Sequence, residues 1–265
     1  MNDDRIRTID DAEDAALALR PLTARSIVLS TLLGHHPPRL PARALVRVGE
    51  LFGIAEGTVR VALSRMVAAG DLRQTDGSYA LTARLLARQT RQDESRSPRT
   101  VPWSGGWEIA VVATPERRPA AERTALRQAM AGLRLAELRE GSWLRPANLD
   151  RPRPANLDRP RPAVVTDQCT WFTGTPDGEP AALAGRLWDL TGWAGRARAL
   201  SAALDRAGTH ADRFTVAAAA LRHLLADPLL PAELLPENWP GAQLRRTYAE
   251  FETELRDLLR QYLAG

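Results

Sequence analysis

Between Thr23 and Leu81, hydrophobic positions first recur at helical spacing and then switch to the two-residue alternation of strands. Ile27, Leu29, Leu32 and Leu33 make the apolar face of a helix over Thr23–Leu33, which Gly34 stops. A second helix over Pro41–Phe52 turns Leu45, Val48, Leu51 and Phe52 inward, Gly53 ends it and Ile54 packs the turn. A third runs from Glu56 to Ala69, with Gly70 as its stop. Its face of Val59, Ala62, Leu63, Met66 and Val67 leaves Thr58, Arg60, Val61, Ser64 and Arg65 on the other side. Asp71–Thr75 and Tyr79–Leu81 then read as short strands joined at Asp76-Gly77-Ser78, whose Asp-Gly pair favours a tight hairpin. Thr82 stands where it would cap a helix carrying Arg84, Arg88 and Arg91.

Helix, glycine turn, helix and hairpin in this order predict a winged helix-turn-helix over residues 21–90. Its exposed face carries what duplex reading needs. Arginine pairs with both guanine acceptors, serine and threonine suit bases or phosphates, and a small apolar side chain suits the thymine methyl. The candidate DNA-binding residues are Thr58, Arg60, Val61, Ser64 and Arg65, with Arg73 and Gln74 beside the hairpin tip. The same elements also fit a ligand-binding or assembly protein that uses a winged helix for protein contacts.

Beyond this segment the pattern changes twice. The acidic residues 1–20 read as a tail, and the polar, proline-containing residues 91–102 as a linker. Residues 103–179 alternate strand and helix: a strand over Glu108–Ala113, the turn Thr114-Pro115, a helix over Ala120–Leu133, a strand over Leu135–Leu144 and a last one over Gln168–Gly174. Residues 180–265 return to helical spacing, from Leu183, Leu187, Leu190 and Trp193 through Leu244–Leu263, broken by Pro228, Pro231, Pro236 and Pro240. The predicted class is multidomain α+β: an N-terminal winged helix-turn-helix, a central α+β domain and a C-terminal helical domain. Between strands lies a tandem octad, Arg145–Pro152 repeated identically as Arg153–Pro160. It is too short for a solenoid and is expected to be a duplicated, turn-rich surface loop.

Composition adjusts this picture modestly. All 36 positive side chains are arginine and the net charge is +4. Arginine in place of lysine is what GC-rich coding produces, so abundance alone says nothing about nucleic acid. Distribution says more: residues 1–20 carry −3, residues 21–96 carry +5 and the rest +2. No stretch is apolar for long enough to cross a bilayer, and no leader-like segment is present, so a cytoplasmic protein is expected. The lone Cys169 excludes an internal disulfide and is expected to be buried and inert. His35-His36, His210 and His223 lack a ligand cluster, so no metal or cofactor is expected. The tryptophans all fall outside the winged helix and are expected in cores or interfaces, some of them lining an effector pocket.

Three stretches resemble the PaaX family of transcriptional regulators: Gly53–Gly70, Trp103-Ser104-Gly105-Gly106-Trp107 with its following strand, and Leu224–Gly241. The resemblance runs in the family's order over residues 22–263. It implies a dimeric repressor of aromatic catabolism that binds double-stranded operator DNA and is released by an acyl-CoA effector such as phenylacetyl-CoA. It also implies a ferredoxin-like central domain. Arg60, Ser64 and Arg65 match the family's Arg-x-Ala-Leu-Ser-Arg run, whereas Val61 stands where many members carry threonine. Arg186, Arg196 and Arg198 are candidates to meet the phosphates of such an effector. The central domain further resembles the small nuclease subunit of CRISPR adaptation, which needs a carboxylate at the end of its first strand. Here that strand ends Val111-Val112-Ala113-Thr114-Pro115 without one, so no enzyme is expected.

Overall fold

The computed structural model describes Leu17 and residues 19–113, 119–150 and 163–264. Most of the expected acidic tail, the turn at Thr114-Pro115 and the second octad, Arg153–Pro160, lie outside the described residues. The chain groups into two units. One combines Met1–Arg96, Gly195–Leu225 and Pro240–Gly265, and the other Ser97–Ala194 and Ala226–Trp239.

In the first unit the N-terminal half follows the expected order. Helix α1 spans Ala24–Leu33, strand β1 Arg39–Pro41, α2 Ala42–Leu51, α3 Glu56–Ala68, β2 Leu72–Thr75, β3 Ser78–Leu81 and α4 Ala83–Arg96. Thr23 starts α1 through a capping box, its hydroxyl accepting from the Ser26 amide at 3.1 Å while Ser26 Oγ accepts from the Thr23 amide at 2.8 Å. The core gathers Val28 and Leu32 of α1, Leu40 of β1, Leu45 of α2, Leu63 and Met66 of α3, Leu72 of β2, Leu81 of β3 and Leu85 of α4. Strand β1 was not expected from the sequence, because its three residues sit among prolines. It pairs antiparallel with β3, giving a three-stranded sheet in the order β1-β3-β2.

Helix α4 also runs further than the polar composition of residues 91–102 suggests, and the expected linker shortens accordingly. Gln92 and Ser95 are buried, Arg245 donates to the Ser95 carbonyl at 3.0 Å, and Arg96 pairs with Asp93 and Glu252. Polar side chains here face a partner helix rather than water, a distinction a composition count cannot make. Helix α10, Gly241–Ala264, is that partner, and α9, His210–Leu225, packs beside both. Phe52 packs at a tilt against Phe214 of α9, with 4.9 Å between centroids, and Arg47 lies 5.0 Å over the Tyr262 ring of α10. Much of the C-terminal helical stretch therefore shares a body with the winged helix.

In the second unit β4 (Trp107–Val112), α5 (Ala120–Gly132), β5 (Ala136–Arg139), β6 (Ser142–Pro146), α6 (Ala163–Thr166) and β7 (Cys169–Gly174) build a four-stranded sheet in the order β5-β6-β4-β7. Neighbouring strands are antiparallel throughout, as the ferredoxin-like topology requires. The single strand expected over Leu135–Leu144 is a hairpin, because Gly141 takes φ 82° and turns the chain. The described part of the first octad, Arg145–Asp150, is likewise more ordered than a loop. Arg145 is fully buried and donates to Asn148 Oδ1 and the Pro146 carbonyl, both at 2.9 Å, and Asn148 donates to the Leu229 carbonyl at 2.9 Å. Helices α7 (Pro180–Leu187) and α8 (Leu190–Arg206) interrupt what reads as one periodic run, because Asp189 Oδ1 accepts from the Gly192 amide and starts α8 afresh. All seven tryptophans belong to this unit, with Trp107 fully buried and Trp193 stacked on Trp239 at 4.6 Å.

Candidate nucleic-acid interface

The crossing of α2 and α3 depends on one glycine. A Cβ added at Gly49 would lie 2.4 Å from Val59 Cγ2, well inside van der Waals contact. Without a side chain there, α3 packs close and buries Val59, Leu63 and Met66. Gly53, at φ 71°, makes the turn between the two helices, and the Ile54 amide closes it on the Gly49 carbonyl at 2.9 Å. Once that face is buried, helical geometry leaves the opposite one in water. Thr58, Arg60, Val61, Ser64 and Arg65 are all exposed, and Val61, at 50%, is among the most exposed large apolar residues described. Arg60 is engaged already: its Nε donates to Glu56 Oε1 at 2.6 Å, one turn back on the same helix.

The wing follows directly. Thr75 pairs with Ser78 across Asp76 and Gly77, whose φ values of 49° and 69° give a type I′ turn matched to the twist of the strands. Arg73 and Gln74 are exposed on β2. Arg39, which sequence reasoning overlooked because β1 was not foreseen, is exposed on the adjoining strand and donates to the Thr75 carbonyl at 3.3 Å. It adds a third polar side chain to this end of the wing.

Helix α3 and the wing are held in register by Asp71, which the sequence reading did not single out. Its side chain is 1% exposed, Arg84 pairs with Oδ1 and Arg25 approaches Oδ2 at 2.5 Å. The Asp71 carbonyl accepts from the Thr82 amide and hydroxyl, both at 3.1 Å, and the same hydroxyl donates to the Gly70 carbonyl. One residue thus ties the end of α3 to α1, α4 and the far side of the wing.

Arginines also crowd the flank of the first unit. Burial lowers the pKa of Arg88, and the neighbouring charges of Arg91 and Arg25 add to the effect. Arg222 is lowered likewise, by burial first and then by Arg20, Arg196 and Arg88. Of the candidate effector arginines, Arg196 therefore sits in this cluster and donates to the Leu17 carbonyl at 2.8 Å. Arg198 is two residues further along α8, a spacing at which side chains do not share a face, and is exposed. Arg186 is exposed on α7 of the other unit. Cys169 is buried, His35 and His36 are exposed, and among the described residues no group of His, Cys, Asp and Glu is placed to hold a metal. No helix among them is long and apolar enough to cross a membrane.

Three family models match the chain: the PaaX-like protein model over residues 23–85, the PaaX protein central Cas2-like domain over 100–181 and the PaaX-like protein C-terminal domain over 191–265. No curated protein matches. Among solved structures, the chain is similar to uncharacterized protein Rv0674 from Mycobacterium tuberculosis. The two are 46% identical with a TM-score of 0.75, over 91% of this chain and 99% of that one.

Proposed function

The chain belongs to the PaaX-like family, and we propose that it works there as a DNA-binding repressor. In this reading it is a cytoplasmic dimer released from its operator by an acyl-CoA-type effector such as phenylacetyl-CoA. The observation that carries the reading is the division of α3 into two faces. Val59, Leu63 and Met66 are locked in the core, while Thr58, Arg60, Val61, Ser64 and Arg65 form an exposed strip beside the wing residues Arg73 and Gln74. In the proposed mode α3 enters the major groove, Arg60 and Arg65 reach base edges, and the wing touches the backbone. Two such domains would occupy half-sites about one or more helical turns apart. Arg60 would exchange Glu56 for DNA, giving up an exposed pair worth only about 0.3–0.5 kcal/mol. Catalysis forms no part of the proposal.

A fluorescence anisotropy titration on the duplex upstream of the protein's own gene tests it. Arg60→Ala and Arg65→Ala are each expected to cost about 1–3 kcal/mol and to relax sequence preference. Arg73→Ala should weaken all duplexes alike and flatten the salt dependence. Unchanged binding by the α3 variants would remove this face as the reader. No salt-dependent affinity for any duplex would instead favour a winged helix used for protein contacts. Adding phenylacetyl-CoA to the same titration, with sedimentation to count subunits, tests the effector and the dimer.

A further inference from the structure

The first unit contains a cavity of about 480 Å³ that the DNA-reading face does not use. It opens between the end of α1, the loop into β1, helix α4 and the two helices α9 and α10. Its volume falls within the usual range for small-molecule sites. The walls are mainly apolar, with Leu33, Phe214, Leu221, Phe251, Leu255 and Leu259 the larger contributors. Neutral and charged polar groups interrupt these walls. Tyr248, Gln92 and Thr31 are buried in the lining, and burial pushes the Tyr248 phenol up to about 12, which keeps it a neutral hydrogen-bond donor.

The charged lining is lopsided. Glu252 is the only carboxylate among the lining residues, and Arg96 pairs with it. Arg256 and Arg260 follow one another at a four-residue spacing on α10, so both lie on the side that lines the cavity. Arg260 has Asp257 at 3.4 Å on its exposed side. His35 and His36 complete the rim. An apolar chamber with an arginine-bearing mouth suits a molecule with an aromatic or acyl body and an anionic end. Arg186, Arg196 and Arg198 are not among the lining residues.

The cavity also borders the part of the domain that would sense occupancy. Leu33, His35, His36 and Leu40 lie on the segment from α1 to β1, and Leu40 pairs with Tyr79 in the wing sheet. Gln89 holds the start of this segment from α4, donating to the Leu33 and His35 carbonyls at 2.8 and 3.2 Å. A ligand wedged behind the segment has a short mechanical route to the wing, with no relay through the other unit.

We propose that this cavity is the protein's ligand site, that it takes a small anion with an apolar body, and that filling it displaces β1 and loosens the wing from DNA. The last step rests on the reading of the chain as a DNA-binding repressor; ligand capture does not.

The test uses two probes that differ by one sulfonate, 8-anilino-1-naphthalenesulfonate and uncharged N-phenyl-1-naphthylamine, titrated into the full-length, DNA-free protein. The sulfonate is expected to saturate at one per chain. Ala218→Phe, which fills the chamber from α9, should weaken both probes at least tenfold. Arg256→Glu, at an exposed position that leaves the chamber intact, should weaken the sulfonate about tenfold and the neutral probe less than twofold. If Ala218→Phe does not fold by circular dichroism, the two-probe comparison on Arg256→Glu decides alone. Sulfonate binding that neither variant alters, or no saturable binding at all, overturns the site. Equal weakening of both probes by Arg256→Glu overturns its anion preference. Duplex anisotropy is then repeated with saturating sulfonate. At least fivefold weaker binding in the wild type, but not in Arg256→Glu at the same concentration, supports the coupling, and unchanged binding overturns it. If no duplex binds at all while the sulfonate behaves as expected, the repressor reading fails and the ligand site stands.

Discussion

Replacing Gly49 by alanine tests the helix-turn-helix at its tightest point. The new methyl would sit 2.4 Å from Val59 Cγ2, and Val59 is 1% exposed and stiff at χ1, so it cannot rotate away. Relief requires α2 and α3 to separate, and overpacking of this kind costs about 1–3 kcal/mol. Alanine in place of glycine returns about 1 kcal/mol through helix propensity, since Gly49 lies within α2. The expected net loss is about 0–2 kcal/mol, or up to roughly 6 °C in Tm. Val59→Ala alone should cost about 2 kcal/mol, from two buried carbons and the space they leave. In the double variant the added methyl occupies that space, so the pair should be more stable than the sum of the single losses by about 1–3 kcal/mol. Thermal and urea unfolding of the four proteins, followed by far-ultraviolet circular dichroism, completes the cycle. Additive losses would mean that Val59 does not limit the approach of the helices, and would refute the argument. Duplex binding by Gly49→Ala should fall even where the protein remains folded, because the separation moves α3 relative to the wing.

Further expectations follow from single contacts. Asp71→Ala should destabilise by about 1–3 kcal/mol, because both ion pairs and the packed side chain are lost together, whereas Arg25→Ala or Arg84→Ala alone leaves the carboxylate one arginine and should cost about 0.5–1 kcal/mol; equal losses for all three in urea unfolding would refute the clip. Glu56→Gln frees Arg60 and removes a negative charge from the reading face, so duplex affinity should rise about two- to fivefold at low salt and the gain should shrink as salt is added; no change in anisotropy would show that the pair does not compete with DNA. Tyr248 should ionise near 12 in an absorbance titration at 295 nm, and Tyr248→Phe should abolish that step. Because the folded phenol holds its proton more tightly than the unfolded one, its contribution is complete below about pH 10 and is lost between about 10 and 12, amounting to about 2–3 kcal/mol. Unfolding midpoints that stay flat over that interval in the wild type, relative to Tyr248→Phe, would contradict this. Deleting Arg153–Pro160 leaves one intact octad for the Arg145–Asn148 network, so Tm should move by less than about 2 °C; loss of folding would show that the second copy is structural.

What the sequence made legible was local and periodic. Helices α1 to α3 and the hairpin were readable because each has a clean apolar face and a glycine or Asp-Gly at its boundary. The exposed strip on α3 followed from the same periodicity, since burying Val59, Leu63 and Met66 dictates which residues point away. Elements that took their shape from distant partners were missed or misread. Strand β1 has no pattern of its own and exists through pairing with β3. The last turns of α4 looked like a solvated linker because the partners of Ser95 and Arg96 come from over a hundred residues away in sequence or from within the turn itself. Asp71 was not singled out and Arg145 fell in an expected surface loop, although both are buried, because burial belongs to the fold and not to the residue type.

The sequence by itself determined the winged helix, the exposed strip on α3 and the family, because short-range spacing and turn chemistry are written along the chain. Only the tertiary structure decided that α9 and α10 close over that winged helix and leave a chamber between them. Its walls come from segments up to about 220 residues apart, and nothing in the spacing of Leu33, Phe214 and Leu255 shows that they meet. The effector arginines chosen from ligand chemistry alone were spread over α7 and α8, whereas Arg256 and Arg260 acquire their place at a cavity mouth only once the chain has packed. Periodicity specifies which side of a helix is apolar; packing specifies what that side encloses.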